Sequence, residues 1–320
     1  MAKQILVSQI ASRNLIGVSS EDTLDKIAKT MIDNKIRRVA VYGPVGSIVG
    51  VISARSIIRA ALSNENWKTQ KASDIASRPV SVDSSTTVKD ASRIMLAFGL
   101  GSLLVENSLI VTERDIAKAF PRDVTIPAID VGTKSVLTIM STSTVKDAAS
   151  LMIGYGISHV PILEQSRKIV GLISLRDVLR ALSEDKLTAQ VTDYASKDVV
   201  KGNEELTLGE VADIIASKDV GSVLIVDDKD NIRAIVTEWD LVKITATLTY
   251  AFVLIKLAPN ASFDITPIQE LDRVIDARLV YGPYDVVTTI AAETSERLLS
   301  TVALIRSIPG VADTLTLLSV

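Results

Sequence analysis

The chain has 320 residues, of which 47% are hydrophobic, and its formal net charge is −3. This slight acidity provides no basic field that would attract nucleic acid, and the apolar content predicts packed cores rather than disorder. The chain contains no cysteine and only one histidine, which excludes disulfides, cysteine nucleophiles and metal sites built from several histidines. Its apolar runs are shorter than the ~18 residues of a membrane-spanning helix, so we expect a cytoplasmic protein without membrane association.

A strand followed directly by a helix recurs four times along the chain. In each copy a short β-branched run ends at a serine or threonine, the residue type preferred at a helix N-cap. The copies end three residues after that hydroxyl, at intervals of 59, 62 and 63 residues, at Ser56, Asp115, Asp177 and Asp240. A second landmark, the start of an amphipathic helix, keeps the same phase at Leu24, Val88, Val145 and Leu208. Two landmarks in step predict fourfold internal repetition.

The chemistry of this strand–helix junction admits two interpretations. A helix that starts at the end of a strand turns its unpaired N–H groups and positive dipole end outward, which suits a phosphate group. The Ser/Thr-x-x-Asp pattern at the same place is also an ordinary capping box, which stabilises a helix without any ligand. The local pattern alone does not decide between the two.

The repeated unit resembles the cystathionine-β-synthase (CBS) domain. The resemblance rests on the Val-x-Asp-Ala-x-x-x-Met helix start at 145–152, the β-rich segment 157–162 and the Gly-hydrophobic-hydrophobic-Ser/Thr-x-x-Asp junction. It implies two pairs of β-α-β-β-α units, the second unit including the connection between the pairs, at 1–66, 67–127, 128–187 and 188–247. It also implies that the cleft of a pair binds adenine nucleotides or related adenosyl ligands. In the family the aspartate accepts hydrogen bonds from the ribose hydroxyls, while the serine or threonine approaches phosphate.

The first unit departs from the family pattern. The resemblance implies that Arg37 and Arg38 reach the ligand phosphates, although two solvated arginines at a strand edge are an equal alternative. Ser56 replaces the family's aspartate, and Gly17 stands at the position that Thr138 holds in the third unit. We therefore expect a modified site in this unit.

The second and fourth units keep the hydroxyl and the carboxylate but lack the basic pair. Gly101 and Ser102 replace it in one unit, and Gly221 and Ser222 in the other, so a phosphate would rely on backbone N–H groups and the junction hydroxyl. The candidate ligand-binding residues are Ser81, Thr112 and Asp115 in the second unit and Lys201, Thr237 and Asp240 in the fourth. The acidic segment 227–231 is typical of a polar hairpin turn, and we expect no metal site there.

The third unit is the most complete, because it has every position that the resemblance assigns to ligand binding. These positions are Thr138, Ile157, Ser158, His159, Val160, Pro161, Ser174 and Asp177. We expect them to form one site, closed by Ser174 and Asp177. His159 occupies one of the basic positions, so its protonation could modulate phosphate binding. A strand-edge histidine without a ligand is the alternative.

After residue 247 the order of elements changes to βαββαβ, which predicts an open ferredoxin-like sheet with helices on one face. Gly282, Tyr284 and Asp285, together with the segment 305–311, resemble the ligand-binding (RAM) domain of leucine-responsive (Lrp/AsnC) regulators. Over roughly 248–320 this resemblance implies a homodimer formed sheet to sheet and an amino-acid effector near the interface. A plain hairpin turn at Gly282 and Asp285 is the alternative. The helix-turn-helix of those regulators is replaced by CBS units, so direct DNA binding is not expected.

The sequence thus predicts an α/β (α+β) protein made of two CBS pairs and a RAM-like domain. We expect a non-catalytic sensor of AMP, ADP, ATP or a related adenosyl ligand, which transmits binding through the homodimerising C-terminal domain to an unidentified protein partner. The chain has no Gly-x-Ser-x-Gly elbow and no phosphate-binding loop for hydrolysis, and we expect no cofactor beyond the regulatory nucleotide. Two alternatives stay open. One is a transcription-linked regulator that acts on DNA or through a DNA-binding partner, and the other is an interaction scaffold with degenerate sites.

Overall fold

The computed structural model describes residues 5–13, 15–106, 108–259, 263–292 and 294–318. The part before residue 248 forms four units, each built around a three-stranded sheet. In every unit the first strand runs parallel to the second, and the second strand pairs antiparallel with the third. The fourfold repetition predicted from the two sequence landmarks is confirmed.

The elements of the four units follow one another in the same order. The first unit contains α1 (Val7–Ile10), β1 (Gly17–Ser19), α2 (Leu24–Asp33), β2 (Arg38–Tyr42), β3 (Ile48–Ser53) and α3 (Ala54–Ser63), followed by a short 3-10 helix at Trp67–Thr69. The second contains α4 (Ala72–Ile75), β4 (Ser81–Val82), α5 (Val88–Phe98), β5 (Ser102–Val105), β6 (Leu109–Thr112) and α6 (Glu113–Ala119). The third contains α7 (Ala128–Val131), β7 (Ile139–Met140), α8 (Val145–Tyr155), β8 (His159–Leu163), β9 (Ile169–Ser174) and α9 (Leu175–Ser183). The fourth contains α10 (Val191–Tyr194), β10 (Lys201–Gly202), α11 (Leu208–Lys218), β11 (Ser222–Val226), β12 (Ile232–Thr237) and α12 (Glu238–Thr247).

Local sequence determines where the first long helix of a unit begins and ends. Thr87, Thr144 and Thr207 cap α5, α8 and α11, and each side chain accepts a hydrogen bond from the backbone N–H three residues on. Helices α5 and α8 end at Gly99 and Gly156, whose φ values of 63° and 70° lie in the left-handed region that glycine adopts without a Cβ clash. The buried face of α8 follows the 3.6-residue period and consists of Val145, Ala148, Ala149 and Met152.

The short opening helix of each unit packs on the neighbouring unit of its pair. Val7 of α1 lies in the core of the second unit, whereas Ala72 of α4 lies in the core of the first. In the same way Ala128 of α7 is buried in the fourth unit, and Val191 of α10 in the third. Backbone bridges such as the one between Thr133 and Ile235 accompany the exchange. This reciprocal exchange ties the first unit to the second and the third to the fourth, as the two-pair prediction requires.

The second long helices join the two pairs. Helix α3 of the first unit packs against α9 of the third, and α12 of the fourth unit packs against α5 and α6 of the second. The first and third units consequently share one continuous hydrophobic core. The four units therefore surround a common centre, at which the starts of helices α3, α6, α9 and α12 converge.

The C-terminal region confirms the predicted α+β order. It contains β13 (Thr249–Leu257), α13 (Thr266–Gln269), β14 (Val274–Leu279), β15 (Val286–Ala292), α14 (Ser295–Ser307) and β16 (Val311–Leu318). Its antiparallel sheet has the order β14-β15-β13-β16, and the two helices pack on one face over a core of their own. The region docks on the fourth unit and on the α7 helix that packs there, because Ala291 lies in the core of that unit and Asp130 of α7 pairs with Arg273 at 3.2 Å and with Arg297 at 2.9 Å.

Candidate functional site

The strand–helix junctions are capping boxes in the structure. The Asp177 carboxylate accepts hydrogen bonds from the Ser174 backbone N–H at 2.9 Å and from the Ser174 hydroxyl at 2.7 Å. The pairs Thr112 with Asp115 and Thr237 with Asp240 have the same geometry. One carboxylate oxygen of each aspartate thereby belongs to the capping box, and the other oxygen does not; in Asp240 that second oxygen accepts a hydrogen bond from Lys243 at 3.0 Å.

A cavity of about 820 Å³ opens where all four units meet, and we call it the large cavity. Its volume lies within the range typical of small-molecule sites. The junction of the fourth unit, with Thr237 and Asp240, forms one part of its wall. The helix start of the first unit, with Ser53 and Ser56, forms another. The cations on this wall outnumber the carboxylates Glu113 and Asp240, and they are Arg37, Arg38, Arg55, Arg59, Arg78 and Lys243.

A second cavity of about 250 Å³, the small cavity, contains the junction of the third unit. Ser174 and Asp177 line it together with Ser196, Asp198 and Val200, which belong to the opening segment of the fourth unit. The opening segment of the third unit, residues 133–137, lines the large cavity instead, alongside Asp240. The candidate set of the third unit is also distributed over two cavities, because Ile157 lines the large one and Ser174 and Asp177 line the small one. Only Ser158 and His159 of that set line both.

The remaining sequence-predicted residues lie outside the walls of the two cavities. Ser81 and Thr138 are exposed, and Lys201 forms an ion pair with Asp230 at 2.7 Å on the outer side of the fourth unit. Val160 and Pro161 are buried strand residues. Those lining a cavity are Arg37, Arg38, Ile157, Ser158, His159, Ser174, Asp177, Thr237 and Asp240.

The junction of the second unit, Thr112 with Asp115, is half-buried and likewise outside both walls. Burial raises the pKa of the Asp115 carboxyl, and this effect outweighs the hydrogen bonds from Thr112, which favour the ionised form. Lys118 also favours the ionised form but does not outweigh burial, whereas in the fourth unit Lys243 lies within ion-pair distance of Asp240, at 3.0 Å.

The basic pair of the first unit, Arg37 and Arg38, is neither free nor merely solvated. Arg37 forms an ion pair with Glu238, whose side chain is 2% exposed, and lies 3.3 Å from Glu113. Arg38 lies 3.4 Å from Glu113. Burial favours the neutral form of Glu113, but Arg38 and Arg37 outweigh it and lower the pKa of this carboxyl. The acids of the second and fourth units therefore neutralise the basic pair of the first.

Arg114 completes this central network. Its guanidinium binds Glu238 at 2.7 Å through Nε and Asp219 at 2.6 Å through Nη1. One buried carboxylate, that of Glu238, thus connects Arg37 of the first unit with Arg114 of the second.

The glycines that replace the basic pair make room for the basic residues of other units. A Cβ at Gly101 would lie 1.7 Å from Nη2 of Arg38, and a Cβ at Gly221 would lie 2.6 Å from Nε2 of His159. Each glycine therefore faces a basic residue of another unit. Gly101 of the second unit makes room for Arg38 of the first, and Gly221 of the fourth makes room for His159 of the third.

His159 is held neutral at physiological pH. Burial lowers its pKa to about 4, and the nearby Arg37 adds to the shift. Its Nδ1 lies 3.0 Å from the Ser158 hydroxyl. A contact between this imidazole and a ligand near neutral pH would accordingly be a hydrogen bond of a neutral ring.

Sequence reasoning missed the acids and several of the arginines. The residue directly after the junction hydroxyl is Glu113 in the second unit and Glu238 in the fourth, but it is Ala54 in the first and Leu175 in the third. This alternation was visible in the sequence and indicates where the central carboxylates lie. The role of Arg55 was not visible, because its guanidinium donates to the backbone carbonyls of two residues in the third unit, Met152 at 3.2 Å and Ile157 at 3.1 Å.

The candidate residues of the C-terminal domain form the loop between β14 and β15. Gly282 has a φ of 153°, and the Asp285 carboxylate accepts a hydrogen bond from the Leu257 backbone N–H at 2.8 Å. Lys256 donates to the Pro283 carbonyl at 2.7 Å. Tyr284 is half-buried in the same loop. Asp285 therefore fixes the hairpin to the neighbouring strand, and its role toward an effector stays a prediction.

The described residues contain neither a metal-binding cluster nor a membrane-spanning helix. No group of three or more histidine, aspartate or glutamate side chains is arranged to hold a metal ion within the described ranges. None of the helices that the structure describes combines the length and the apolar character needed to cross a bilayer.

Comparison with known proteins identifies relatives of the whole four-unit part. The family model of the CBS domain matches residues 7–63, 72–122, 128–184 and 191–246. An uncharacterized protein of Methanocaldococcus jannaschii, MJ1225, is 25% identical over 276 residues, which are 75% of this chain and 98% of that protein. Its crystal structure, presented as that of a candidate archaeal homologue of γ-AMPK, has a TM-score of 0.66 at 23% identity and covers 75% of this chain and 99% of that one.

Two further structures are similar. A conserved protein of Pyrococcus horikoshii has a TM-score of 0.54 at 18% identity and covers 75% of this chain and 100% of its own. The CBS domain pair of protein MJ0100, crystallised with 5′-methylthioadenosine and S-adenosyl-L-methionine, is 26% identical, has a TM-score of 0.35 and covers 37% of this chain and 93% of its own.

Proposed function

Because the chain belongs to the CBS domain family, whose members bind adenosyl ligands as regulatory ligands, we propose that it is a non-catalytic sensor with an adenine-nucleotide site in the large cavity. The observation that carries this proposal is the meeting of two features in one cavity of about 820 Å³. These features are the Thr237–Asp240 junction and a wall rich in arginine. A junction alone is a helix cap, but a cap that opens into a basic cavity offers an anion binding site.

The wall offers the three kinds of contact that a nucleotide uses. Val136, Leu137 and Ile157 provide apolar surface for a purine base. The Asp240 oxygen that is not used by Thr237 faces Lys243, and it can accept hydrogen bonds from ribose hydroxyls when that lysine moves aside. The Lys243 side chain is 45% exposed, whereas that of Asp240 is only 4% exposed, so the lysine is the partner with room to move into solvent. The arginines of the wall are suited to phosphate oxygens.

The path from this site to the C-terminal domain is short. Helix α12 carries Asp240 and Lys243 and ends at Thr247, and β13 begins at Thr249. A ligand that changes the position of α12 therefore acts directly on the first strand of the C-terminal sheet. Such coupling requires that the ligand bind two arrangements of the chain with different affinity.

We infer that the C-terminal domain resembles RAM domains in forming a homodimer through its open sheet face. Phe252 of β13 lies opposite Leu317 of β16, and Leu254 lies opposite Leu315. Phe252, Leu315 and Leu317 are exposed on the face away from the helices. A second copy of the same sheet would cover this apolar surface. Sedimentation equilibrium tests it, because Leu317→Asp should convert a dimer to a monomer, and a wild-type monomer would contradict the inference.

Isothermal titration calorimetry with adenosine, AMP, ADP and ATP tests the nucleotide site. A ligand present at 100 times its Kd should also stabilise the fold by about 2.7 kcal/mol. The variant Asp240→Asn should weaken binding at least about tenfold, because it removes the charge that accepts from the ribose.

The matched control is Asp147→Asn. Asp147 holds the same capping-box position at the start of α8 and lies outside both cavities. Nucleotide affinity that is unchanged in Asp240→Asn, or lowered equally in both variants, would contradict the assignment of this site.

The same titrations distinguish the alternatives. An interaction scaffold with degenerate sites predicts no heat and no stabilisation with any adenosyl ligand. A transcription-linked regulator predicts a salt-sensitive electrophoretic shift of DNA, with or without a DNA-binding partner.

A further inference from the structure

The large cavity crosses the boundary between the two CBS pairs. One side of its wall belongs to the first pair and includes residues 53–56, 77–80 and 99–102. The other side belongs to the second pair and includes residues 133, 135–137 and 155–159 together with the junction at Asp240. The two sides differ in chemistry, because the nucleoside contacts proposed above all lie in the second pair.

Arg55 brings the two sides into direct contact. It lies in the first turn of α3, and its guanidinium donates to the carbonyls of Met152 and Ile157 at 3.2 and 3.1 Å. Ile157 belongs to the wall of the nucleoside side. Arg59 lies one helical turn after Arg55 on α3 and also lines the cavity. The start of α3 therefore stands next to the position proposed for the nucleoside.

The first-pair side has positive charge that the protein does not neutralise. Arg59 and Arg78 are exposed and line the cavity, and among the described residues no carboxylate lies within ion-pair distance of either. Arg38 lines the same side but differs from these two arginines, because Glu113 lies 3.4 Å from its guanidinium.

This side also lacks the means to hold a second nucleoside. Ser56 replaces the aspartate at the start of α3, and its hydroxyl lies 2.7 Å from that of Ser53. No carboxylate therefore stands at this helix start to accept from ribose hydroxyls or to repel a phosphate. Glu113, the carboxylate that lines the first-pair side, is already paired with Arg37 and Arg38, so this side favours an anion over a second ribose.

We propose that one nucleoside di- or triphosphate lies across the boundary between the pairs. Its base and ribose occupy the second-pair side at Asp240, and its terminal phosphates bind Arg59 and Arg78 on the first-pair side. This inference rests on the proposed nucleotide site and adds to it the ligand class and a means of coupling. We expect a monophosphate to contact the second pair without engaging Arg59 and Arg78, whereas a polyphosphate links both pairs in one complex.

Titration of the full chain with adenosine, AMP and ATP tests the proposal. The wild-type chain should bind ATP more tightly than AMP. Arg59→Ala and Arg78→Ala should each weaken ATP binding about tenfold, the effect of one charge-assisted contact, and leave AMP binding within about twofold.

Arg180→Ala is the matched control. Arg180 lies six residues after the N-cap Ser174, as Arg59 lies six residues after the N-cap Ser53, but it is outside both cavities and lies over the ring of Tyr194. Its removal should leave the ratio of ATP to AMP affinity unchanged.

Hydrogen exchange provides the second measurement. ATP should protect amides of α3 as well as those of β12 and α12, and AMP only the latter. ATP protection confined to β12 and α12, or equal losses of AMP and ATP affinity in Arg59→Ala, would overturn the spanning arrangement while leaving the nucleotide site intact. A wild-type chain that binds none of the three ligands would overturn the proposed function itself.

Discussion

The two cavities are built from the same strand–helix junction and differ in size and in charge. The large cavity measures about 820 Å³ and contains Asp240, whereas the small one measures about 250 Å³ and contains Asp177. The third unit, which has every motif residue, contributes its junction to the small cavity. A complete motif therefore does not by itself make the larger site, because the size of a site depends on which segments of the partner unit face the junction.

Charge distinguishes the cavities further. In the small cavity Arg37 and Arg114 are held by Glu238, and Arg114 also by Asp219. In the large cavity the exposed arginines of the first pair have no such acids within the described ranges. The small cavity also contains Arg176, but its wall has as many aspartates as arginines, namely Asp177, Asp198 and Asp219, whereas arginine and lysine predominate in the large one.

Among changes that test the charge difference between the cavities, removal of the buried carboxylate of Glu238 should have the largest effect. Glu238→Ala removes the buried carboxylate that Arg37 and Arg114 share and leaves them only their second partners, Glu113 and Asp219, so we expect the free energy of unfolding to fall by up to about 3–5 kcal/mol. Urea denaturation measures it. Glu204→Ala breaks the exposed pair with Arg233 and should cost about 0–1 kcal/mol. Equal losses in the two variants would show that the central network has no special role in stability.

The pH dependence of stability should be the next largest effect. It depends on His159, the histidine that lines both cavities. Its pKa is about 4 when folded, against an ordinary value of 6.5, so the unfolded chain binds a proton that the folded chain rejects between these values. Stability should therefore rise as the pH increases from 4 to 6.5, by up to about 3 kcal/mol, and level off above. The charged groups that act on the ring are Arg37, Glu238, Glu113 and Arg114.

Denaturation at a series of pH values measures this effect, and the imidazole signals of the single histidine report its titration directly. His159→Gln should flatten the curve between pH 4 and 6.5. A histidine that titrates near 6.5 in the folded chain would contradict the buried, neutral ring.

A matched pair of glycine substitutions should give the smallest effects and separate the cavities most clearly. In Gly221→Ala the new methyl group meets the His159 ring at 2.6 Å, and we expect a loss of about 1–3 kcal/mol. In Gly101→Ala it meets the end of the Arg38 side chain, which can move, so stability should fall less and nucleotide affinity more.

The control for both is Gly154→Ala in α8. A Cβ there meets nothing within 4 Å, and the change should stabilise the helix by about 0.5–1 kcal/mol. Denaturation and calorimetry on the three variants provide the comparison. A larger loss of nucleotide affinity in Gly221→Ala than in Gly101→Ala would reverse the assignment of the two cavities.

The elements of the fold could be predicted from the sequence because they depend on local pattern. The junction hydroxyls of the last three units, Thr112, Ser174 and Thr237, each begin a helix with an aspartate three residues on, and all three capping boxes form. The βαββαβ order of the C-terminal domain likewise follows from alternating and helical periods that are visible within each segment.

The composition of the site could not be predicted, because it depends on contacts between distant residues. No local pattern shows that the segment of Leu137 faces Asp240 rather than Asp177, since the exchange of opening segments is decided by packing. The partners of Arg37 and Arg55 lie about one hundred to two hundred residues away in sequence. The sequence shows only that Gly101 and Gly221 stand where other units have a basic residue. The structure shows that these glycines provide space for basic residues of other units.

The reciprocal placement of the opening helices limits how such a chain can be divided. A fragment with residues 1–66 alone would lack α4, whose Ala72 completes its hydrophobic core. It would also contain α1, whose Val7 would have no second unit to pack against. A pair of units is therefore the smallest segment with a complete hydrophobic core that can be duplicated, excised or fused to another protein. We expect genes for this architecture to lengthen by two units at a time.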